Sequence, residues 1–176
     1  LSHDLVEGCF ARSGLISDVQ LYEDYPSRYS ADVNRRHRWI RGDWQLLPWL
    51  LPWTRTPGGK RARNPLSALS RWKILDNLRR SLVPAALLAL LLLGWFAIAQ
   101  MAAWTLAVLA VVFVPPLLAV QLDLFQKPRD VRLRQHLRAA SRSSGELAAR
   151  ALLTLAWLPH EAQYSVDAVL RTLWRL

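Results

Sequence analysis

An almost uninterrupted apolar run extends from Leu82 to Val120, and Gln100 and Thr105 are its only clearly polar residues. As one helix with a rise of about 1.5 Å per residue it would be roughly 58 Å long, about twice the roughly 30 Å thickness of a bilayer's hydrocarbon core. Two helices of half that length each match the thickness of the hydrocarbon core, whereas a single helix would be too long. A hairpin buried in a large soluble core is disfavoured because no charge interrupts the run. We predict a transmembrane hairpin over 82–122, with spans at about 82–99 and 104–122 and a tight turn around Gln100-Met101-Ala102.

Positive charge lies on both sides of this hairpin, and its turn carries none. Because basic segments stay on the cytoplasmic side of a membrane, both ends of the hairpin are predicted to be cytoplasmic. The net charge of +10 and the nine tryptophans indicate an anionic partner, either a membrane surface, a nucleotide or a nucleic acid. The preceding basic residues are Arg55, Lys60, Arg61, Arg63, Arg71, Lys73, Arg79 and Arg80, and the following ones are Lys127, Arg129, Arg132, Arg134, Arg138 and Arg142.

Periodicity and breaking residues divide the rest of the chain. Before the hairpin we predict a helix over 4–12, a short strand over 15–22, and a long helix that is capped by Ser30 or Asp32 and ends near Leu51. Residues 53–66 are predicted to be a basic linker that need not be ordered, and 67–81 an interfacial helix. Residues 123–176 are predicted to form cytoplasmic or interfacial amphipathic helices, interrupted at 141–145 and at Pro159.

The predicted long helix carries the most unusual cluster of side chains in the chain, within the stretch RRHRWIRGDWQ. Its residues Arg35, Arg38, Trp39 and Gly42 share one face at helical spacing. Two guanidinium groups beside a flat indole suit a phosphate-bearing ligand with a sugar stacked next to it. A cationic helix that covers a membrane or an acidic surface fits the same composition, so both interpretations stay open.

Other familiar chemistries lack their residue patterns. The sequence has no glycine-rich phosphate loop, since Pro57-Gly58-Gly59 lacks the required spacing and ending. No histidine and cysteine spacing predicts a metal site, and no Ser or Cys nucleophile is placed for a triad. Nucleic-acid binding would use the same arginines and tryptophans, but it is disfavoured because the basic clusters adjoin a membrane hairpin.

Two carboxylates near the start, Asp4 and Glu7, are three residues apart and share a helical face. One of them suits a general base if an acceptor hydroxyl is held beside it. A carboxylate in the first turn of a helix also complements the helix dipole without any catalytic role, so this second interpretation stays open.

Three stretches and the hairpin that follows them resemble a known family of enzymes. They are SHDLVEG at 2–8, VQLYEDYP at 19–26 and RRHRW at 35–39. In this order they are similar to the C-terminal half of membrane-embedded, inverting glycosyltransferases of the processive-synthase type. The exact residues of these stretches, together with NPLSALSRWKILDNLRRSLVP at 64–84, resemble the bacterial cyclic β-1,2-glucan synthases. The resemblance implies a mainly helical part of a membrane α/β, GT-A-like enzyme, in which 1–52 end the catalytic domain and the short strand joins the parent sheet.

The resemblance also implies roles for individual residues. Asp4 would be the catalytic base, Arg35 and Arg38 would hold the donor diphosphate, and Trp39 would bind the acceptor. Two positions depart from the pattern of the cellulose-type synthases. Position 3 is His where they have Glu, and position 35 is Arg where they have Gln.

The reaction that the resemblance implies is the transfer of glucose from UDP-glucose to a β-glucan acceptor, at the cytoplasmic face of a multi-pass protein in the bacterial inner membrane. A divalent metal, Mg or Mn, would be bound by residues upstream in the same polypeptide, and none of its ligands is expected here. The sequence lacks an initiator Met and ends within a helical pattern, so we expect a part of a longer chain that is inactive alone. The alternatives are another processive glucan synthase and a non-catalytic, membrane-anchored basic adaptor that binds anionic lipid.

Overall fold

A computed structural model describes residues 3–10, 17–55, 58–98, 100–126 and 131–176. The chain divides into two compact units, Leu1–Val83 with Gln163–Leu176, and Pro84–Ala162. Most of the described residues are helical, which confirms the helical part of the predicted fold class. The elements are α1 (Asp4–Phe10), α2 (Tyr29–Trp44), a 3-10 turn (Leu47–Leu50), β1 (Trp53–Arg55), β2 (Arg61–Arg63), α3 (Ala68–Phe96), α4 (Met101–Phe125) and α5 (Leu133–Leu173).

The first unit is organised around a small apolar core between α1, α2 and the start of α3. Leu46 and Ile74 are fully buried at its centre. The indole N–H of Trp44 donates to the Ser81 hydroxyl at 2.8 Å, so this buried ring keeps a hydrogen-bond partner. The core fixes where α1 lies against α2, which are the two helices that carry the candidate site. Its buried residues are Val6, Trp44, Leu46, Leu66, Ile74, Leu78 and Val169.

The segment predicted as a basic linker, 53–66, contains an antiparallel hairpin of β1 and β2, in which Thr54 faces Ala62. Asn64 stabilises its base, because its side-chain amide donates to the carbonyls of Trp49 at 2.7 Å and Leu51 at 2.8 Å. Gly59 has a φ of 75°, a left-handed conformation that glycine adopts without strain. Thr56 and Pro57 lie outside the described residues.

The strand predicted over 15–22 is wrong where the structure describes it. Residues 17–22 have no regular secondary structure, and the side chains of Leu21 and Tyr22 are each 90% exposed. A strand needs a neighbour for its backbone hydrogen bonds, and the described part of the chain offers these residues none. Residues 15 and 16 lie outside the described residues, and the GT-A-like sheet of the fold-class prediction stays a prediction.

Several predicted helix boundaries are wrong. Helix α2 begins at Tyr29 after Arg28, without the side-chain cap expected from Ser30 or Asp32, and ends at Trp44 instead of near Leu51. Pro48 follows in the 3-10 turn, where its missing N–H leaves no hydrogen bond unmade. Residues 67–81 and the first apolar span form one continuous helix, α3, because nothing at their junction breaks it.

Helix α5 passes through both of its predicted interruptions, at 141–145 and at Pro159. The hydroxyls of Ser141 and Ser144 donate to carbonyls of their own helix, Ser141 to Arg138 at 3.0 Å and Ser144 to Ala140 at 2.6 Å, so these side chains do not compete with the helical conformation. A proline removes one backbone donor, a cost that the long helix on either side offsets.

The second unit contains the predicted hairpin. Helices α3 and α4 are long and apolar enough to cross a membrane. Helix α3 ends at Phe96 and Gln100 is the N-cap of α4, so Met101 and Ala102 of the predicted turn are the first residues of that helix. Val108 is fully buried between the helices, with Leu87 and Leu158 beside it. Near the turn the two helices approach closely, since a Cβ added at Gly94 would lie 2.5 Å from the Cβ of Trp104.

Gly94→Ala is therefore expected to destabilise the hairpin by about 1–3 kcal/mol, because the added methyl overlaps the Trp104 side chain and the helices must separate. Chemical unfolding of the chain in detergent measures this. Gly145→Ala is the matched control, since nothing lies within 4 Å of its Cβ position in the described structure. It should stabilise α5 slightly, by about 0.5–1 kcal/mol. Equal stabilities of the two variants would contradict the close approach.

Candidate functional site

The start of α1 is fixed by His3. Its backbone carbonyl accepts the N–H groups of Val6 and Glu7, both at 2.9 Å, and its ring atom Nδ1 accepts the N–H of Leu5 at 3.2 Å. Since Nδ1 acts as an acceptor, the ring proton of the neutral imidazole is on Nε2. That atom lies 3.0 Å from Oδ1 of Asp43 on α2, to which it donates. One residue therefore caps α1 and joins it to α2.

Beside this contact is an open cavity of about 380 Å³. It brings together three of the four predicted site residues, Asp4 from α1 and Arg38 and Trp39 from α2. Two motifs far apart in the sequence thus meet at one surface, as a common reaction centre requires. The described lining residues are His3, Asp4, Arg38, Trp39, Gly42, Asp43 and Asn77.

The three predicted residues in this cavity are available to a ligand. Asp4 and Arg38 are exposed, and within the described part of the chain neither side chain makes a hydrogen bond or an ion pair. The Trp39 ring is 56% exposed, so part of its indole surface is open to stacking. A carboxylate, an unpaired guanidinium and an aromatic surface side by side can accept a proton, neutralise an anion and support a sugar ring.

Arg35, the fourth predicted residue, is not among the residues that line this cavity. Its Nη2 donates to the Asp32 carboxylate at 2.8 Å. Its guanidinium lies over the ring of Tyr25 at 4.6 Å and over that of Trp39 at 4.7 Å. Arg35 is thus a partner of the Trp39 side chain, and its charge is partly balanced by Asp32.

Glu7, the alternative to Asp4, is exposed on the same helix but does not line the cavity. The fold therefore places the two carboxylates differently. Of this pair, only Asp4 lines the cavity together with Arg38.

Asp43 and Asn77 are site residues that sequence reasoning missed. Burial raises the pKa of the Asp43 carboxyl, and the His3 ring and the Asn77 amide oppose that effect. Asp43 follows Trp39 by one helical turn, so the spacing that grouped Arg35, Arg38 and Trp39 also indicates Asp43. Asn77 is on α3, and no local pattern in the sequence connects it with α2.

The other side of α2 is held by the end of α5. Nε2 of His37 lies 2.9 Å from the carboxylate of Asp167, which also accepts a hydrogen bond from Arg171 at 2.8 Å. The bonds from Arg171 and then from His37 lower the pKa of Asp167. The Arg36 guanidinium lies 5.8 Å from the centre of the Tyr164 ring. Arg36 and His37 thus serve packing, while Arg38 and Trp39 face the cavity.

Metal ligands are not assembled at this cavity. Within the described residues, no three His, Cys, Asp or Glu side chains come together as a metal site requires. The metal ligands expected upstream of this segment stay a prediction.

No protein-family model matches the chain. The chain is 39% identical, over 99% of its length, to a segment of the cyclic beta-(1,2)-glucan synthase NdvB of Rhizobium meliloti (strain 1021). It spans 6% of the length of that relative. The similarity confirms the resemblance that the motifs indicated.

Proposed function

We propose that this chain forms the C-terminal part of a glycosyltransferase region. The proposal rests on its similarity to a segment of a cyclic β-1,2-glucan synthase. The complete protein would transfer glucose from UDP-glucose to a growing β-1,2-glucan. The observation that supports this proposal most is the cavity in which Asp4 meets Arg38 and Trp39.

An inverting displacement assigns one task to each of these residues. Asp4 accepts the proton of the acceptor hydroxyl while the hydroxyl oxygen attacks the anomeric carbon. The bond from that carbon to the diphosphate oxygen breaks, and UDP leaves with the bonding electrons. Arg38 neutralises the negative charge that develops on the diphosphate. Trp39 supports the acceptor sugar by stacking against its apolar face.

Arg35 would act on the diphosphate less directly than Arg38. Its contacts with Tyr25 and Trp39 orient the indole, and its positive charge adds to the potential on this side of α2.

The remaining parts of the proposal concern the complete protein. A divalent metal, Mg or Mn, held by residues upstream of this segment would supply further positive charge to the departing diphosphate. The basic residues on both sides of the apolar hairpin favour a multi-pass protein of the bacterial inner membrane with its catalytic face in the cytoplasm. The lipid bilayer and the remainder of the polypeptide would be its other partners.

Membrane vesicles of defined orientation test the proposal. Inside-out vesicles that contain the complete protein should incorporate radiolabelled glucose from UDP-glucose into glucan. Sealed right-side-out vesicles should do so only after permeabilisation, because UDP-glucose does not cross the bilayer. Transfer by sealed right-side-out vesicles would contradict the cytoplasmic location of the site. The absence of transfer in every preparation would contradict the proposed glucosyltransferase activity.

The alternative function, a non-catalytic membrane adaptor, leads to different expected results. It would show no sugar-nucleotide turnover, and it would lose binding to anionic lipid when Arg71, Lys73, Arg79 and Arg80 are neutralised. The structure offers it limited support, since Arg79 and Arg80 both pair with the carboxylate of Asp76. Exposed pairs of this kind leave less net charge for a lipid surface.

A further inference from the structure

We infer that His3 and Asp43 form a positioning pair that holds the candidate base Asp4 beside the Arg38–Trp39 face of α2. This inference rests on the proposed function, because positioning matters only if Asp4 and Arg38 act on one reaction. It assigns a role to two residues that do not themselves need to touch the reacting atoms.

The connection consists of two hydrogen bonds at opposite ends of one ring. At Nδ1 the His3 ring accepts the N–H of Leu5, which fixes the ring relative to the first turn of α1. At Nε2 it donates to Oδ1 of Asp43. Asp4 lies between His3 and Leu5, which this hydrogen bond joins, so the backbone of Asp4 cannot shift without disturbing the arrangement.

The surroundings of the pair favour a fixed geometry. The side chains of His3 and Asp43 are only 19% and 18% exposed, respectively, so water competes weakly for their hydrogen bond. The His3 ring also packs on Gly42, with Cδ2 3.7 Å from the position of an added Cβ. Asn77 of α3 lines the same cavity as Asp43, and its side chain lowers the pKa of the Asp43 carboxyl against the effect of burial. Residues of three helices therefore determine where the pair lies.

The same geometry disfavours a direct proton-transfer role for His3. Nδ1 is occupied by the Leu5 N–H, and Nε2 already carries the proton that it shares with Asp43. The ring would have to break the cap of α1 to take up a second proton. Asp4 makes neither contact, and it is the group left exposed to an acceptor.

Two substitutions at position 3 separate the two bonds. The side-chain amide nitrogen of Gln occupies the place of Nε2, so His3→Gln keeps a donor to Asp43. The shorter side chain of Asn occupies the place of Nδ1, so His3→Asn keeps the helix cap and loses the contact with Asp43. At the other end, Asp43→Asn keeps an acceptor for the ring, whereas Asp43→Ala removes it.

The complete protein in its membrane is assayed for transfer from UDP-glucose with each variant. His3→Asn and Asp43→Ala should lower kcat by about 10–100-fold with little change in the KM for UDP-glucose, because a displaced base slows the chemical step. His3→Gln and Asp43→Asn should stay within about threefold of wild type. The double variant His3→Asn with Asp43→Ala should be no slower than either single variant, because both remove the same contact.

Two outcomes would overturn the proposed positioning role of His3 and Asp43. Either His3→Asn retains the wild-type kcat, or His3→Gln is as slow as His3→Asn at equal amounts of folded protein in the membrane. The wild-type protein in the same assay separates this failure from that of the proposed function. If wild type transfers no glucose from UDP-glucose, the enzyme proposal fails; if wild type transfers and the variants follow neither pattern, only the pair fails.

Discussion

Asp4→Asn in the complete protein is expected to lower glucosyl transfer from UDP-glucose by about 10²–10⁴-fold, the usual contribution of a positioned general base. The amide has nearly the shape of the carboxylate, but it cannot take the proton of the acceptor hydroxyl. Because Asp4 is exposed and outside the apolar core, the substitution should leave the fold and the membrane insertion unchanged. The initial rate of glucose incorporation by membranes is the measurement.

Glu7→Gln is the matched control for this substitution. It makes the same carboxylate-to-amide change on α1, at an exposed position that does not line the cavity. It should retain at least half of the wild-type rate. A normal rate for Asp4→Asn, or an equal loss in the two variants, would show that Asp4 is not the base.

Arg38→Gln is expected to lower kcat by about 10²–10³-fold, a loss comparable to that of one preorganised group that stabilises transition-state charge. Its guanidinium lines the cavity and is unpaired within the described structure, so its charge is available to a ligand in the cavity. The same variant should raise the KM for UDP-glucose by a smaller factor than it lowers kcat, because the charge on the diphosphate grows as the bond to glucose breaks.

Arg41→Gln provides the comparison for Arg38. It removes a cation from the same helix, but Arg41 is not among the residues that line the cavity. It should change kcat by no more than about twofold, as expected for a charge at a distance in a solvated setting. If Arg41→Gln and Arg38→Gln are equally slow, the arginines of α2 act through their summed charge and not through one contact.

The features that the sequence predicted correctly are those with a strong local pattern. The apolar run needed only its length to indicate two helices, and the break between them falls after Phe96 and before Met101, slightly earlier than the predicted turn at 100–102. The helix around Arg35 and Trp39 followed from its composition and spacing. Local patterns are sufficient where neither a distant partner nor a helix end decides the structure.

The features that it did not predict depend on residues far apart in the chain. The contact of His3 with Asp43 joins α1 to α2, and Asn77 reaches it from α3. The predicted strand over 15–22 depended on a neighbour that the described residues do not supply. The continuity of α5 through Pro159 also shows that a breaking residue acts on a helix only when its surroundings do not offset its cost.

The choice between Asp4 and Glu7 illustrates what structure adds to a resemblance. Spacing alone placed both carboxylates on one face of a helix and left a dipole role open. The resemblance implied a catalytic role for Asp4, and the cavity gives that implication a physical reason, since Asp4 lines it and Glu7 does not. The role itself stays a proposal until a rate is measured.

Linkage analysis of the product tests the central claim most directly. The complete protein, in inside-out membranes, is incubated with UDP-glucose, and the glucan formed is methylated, hydrolysed and separated. The proposal predicts 2-linked glucosyl residues as the main product, and their absence from membranes that carry Asp4→Asn. Glucan of another linkage would contradict the assignment to β-1,2-glucan synthesis, and no product from the wild-type protein would contradict the proposed transfer itself.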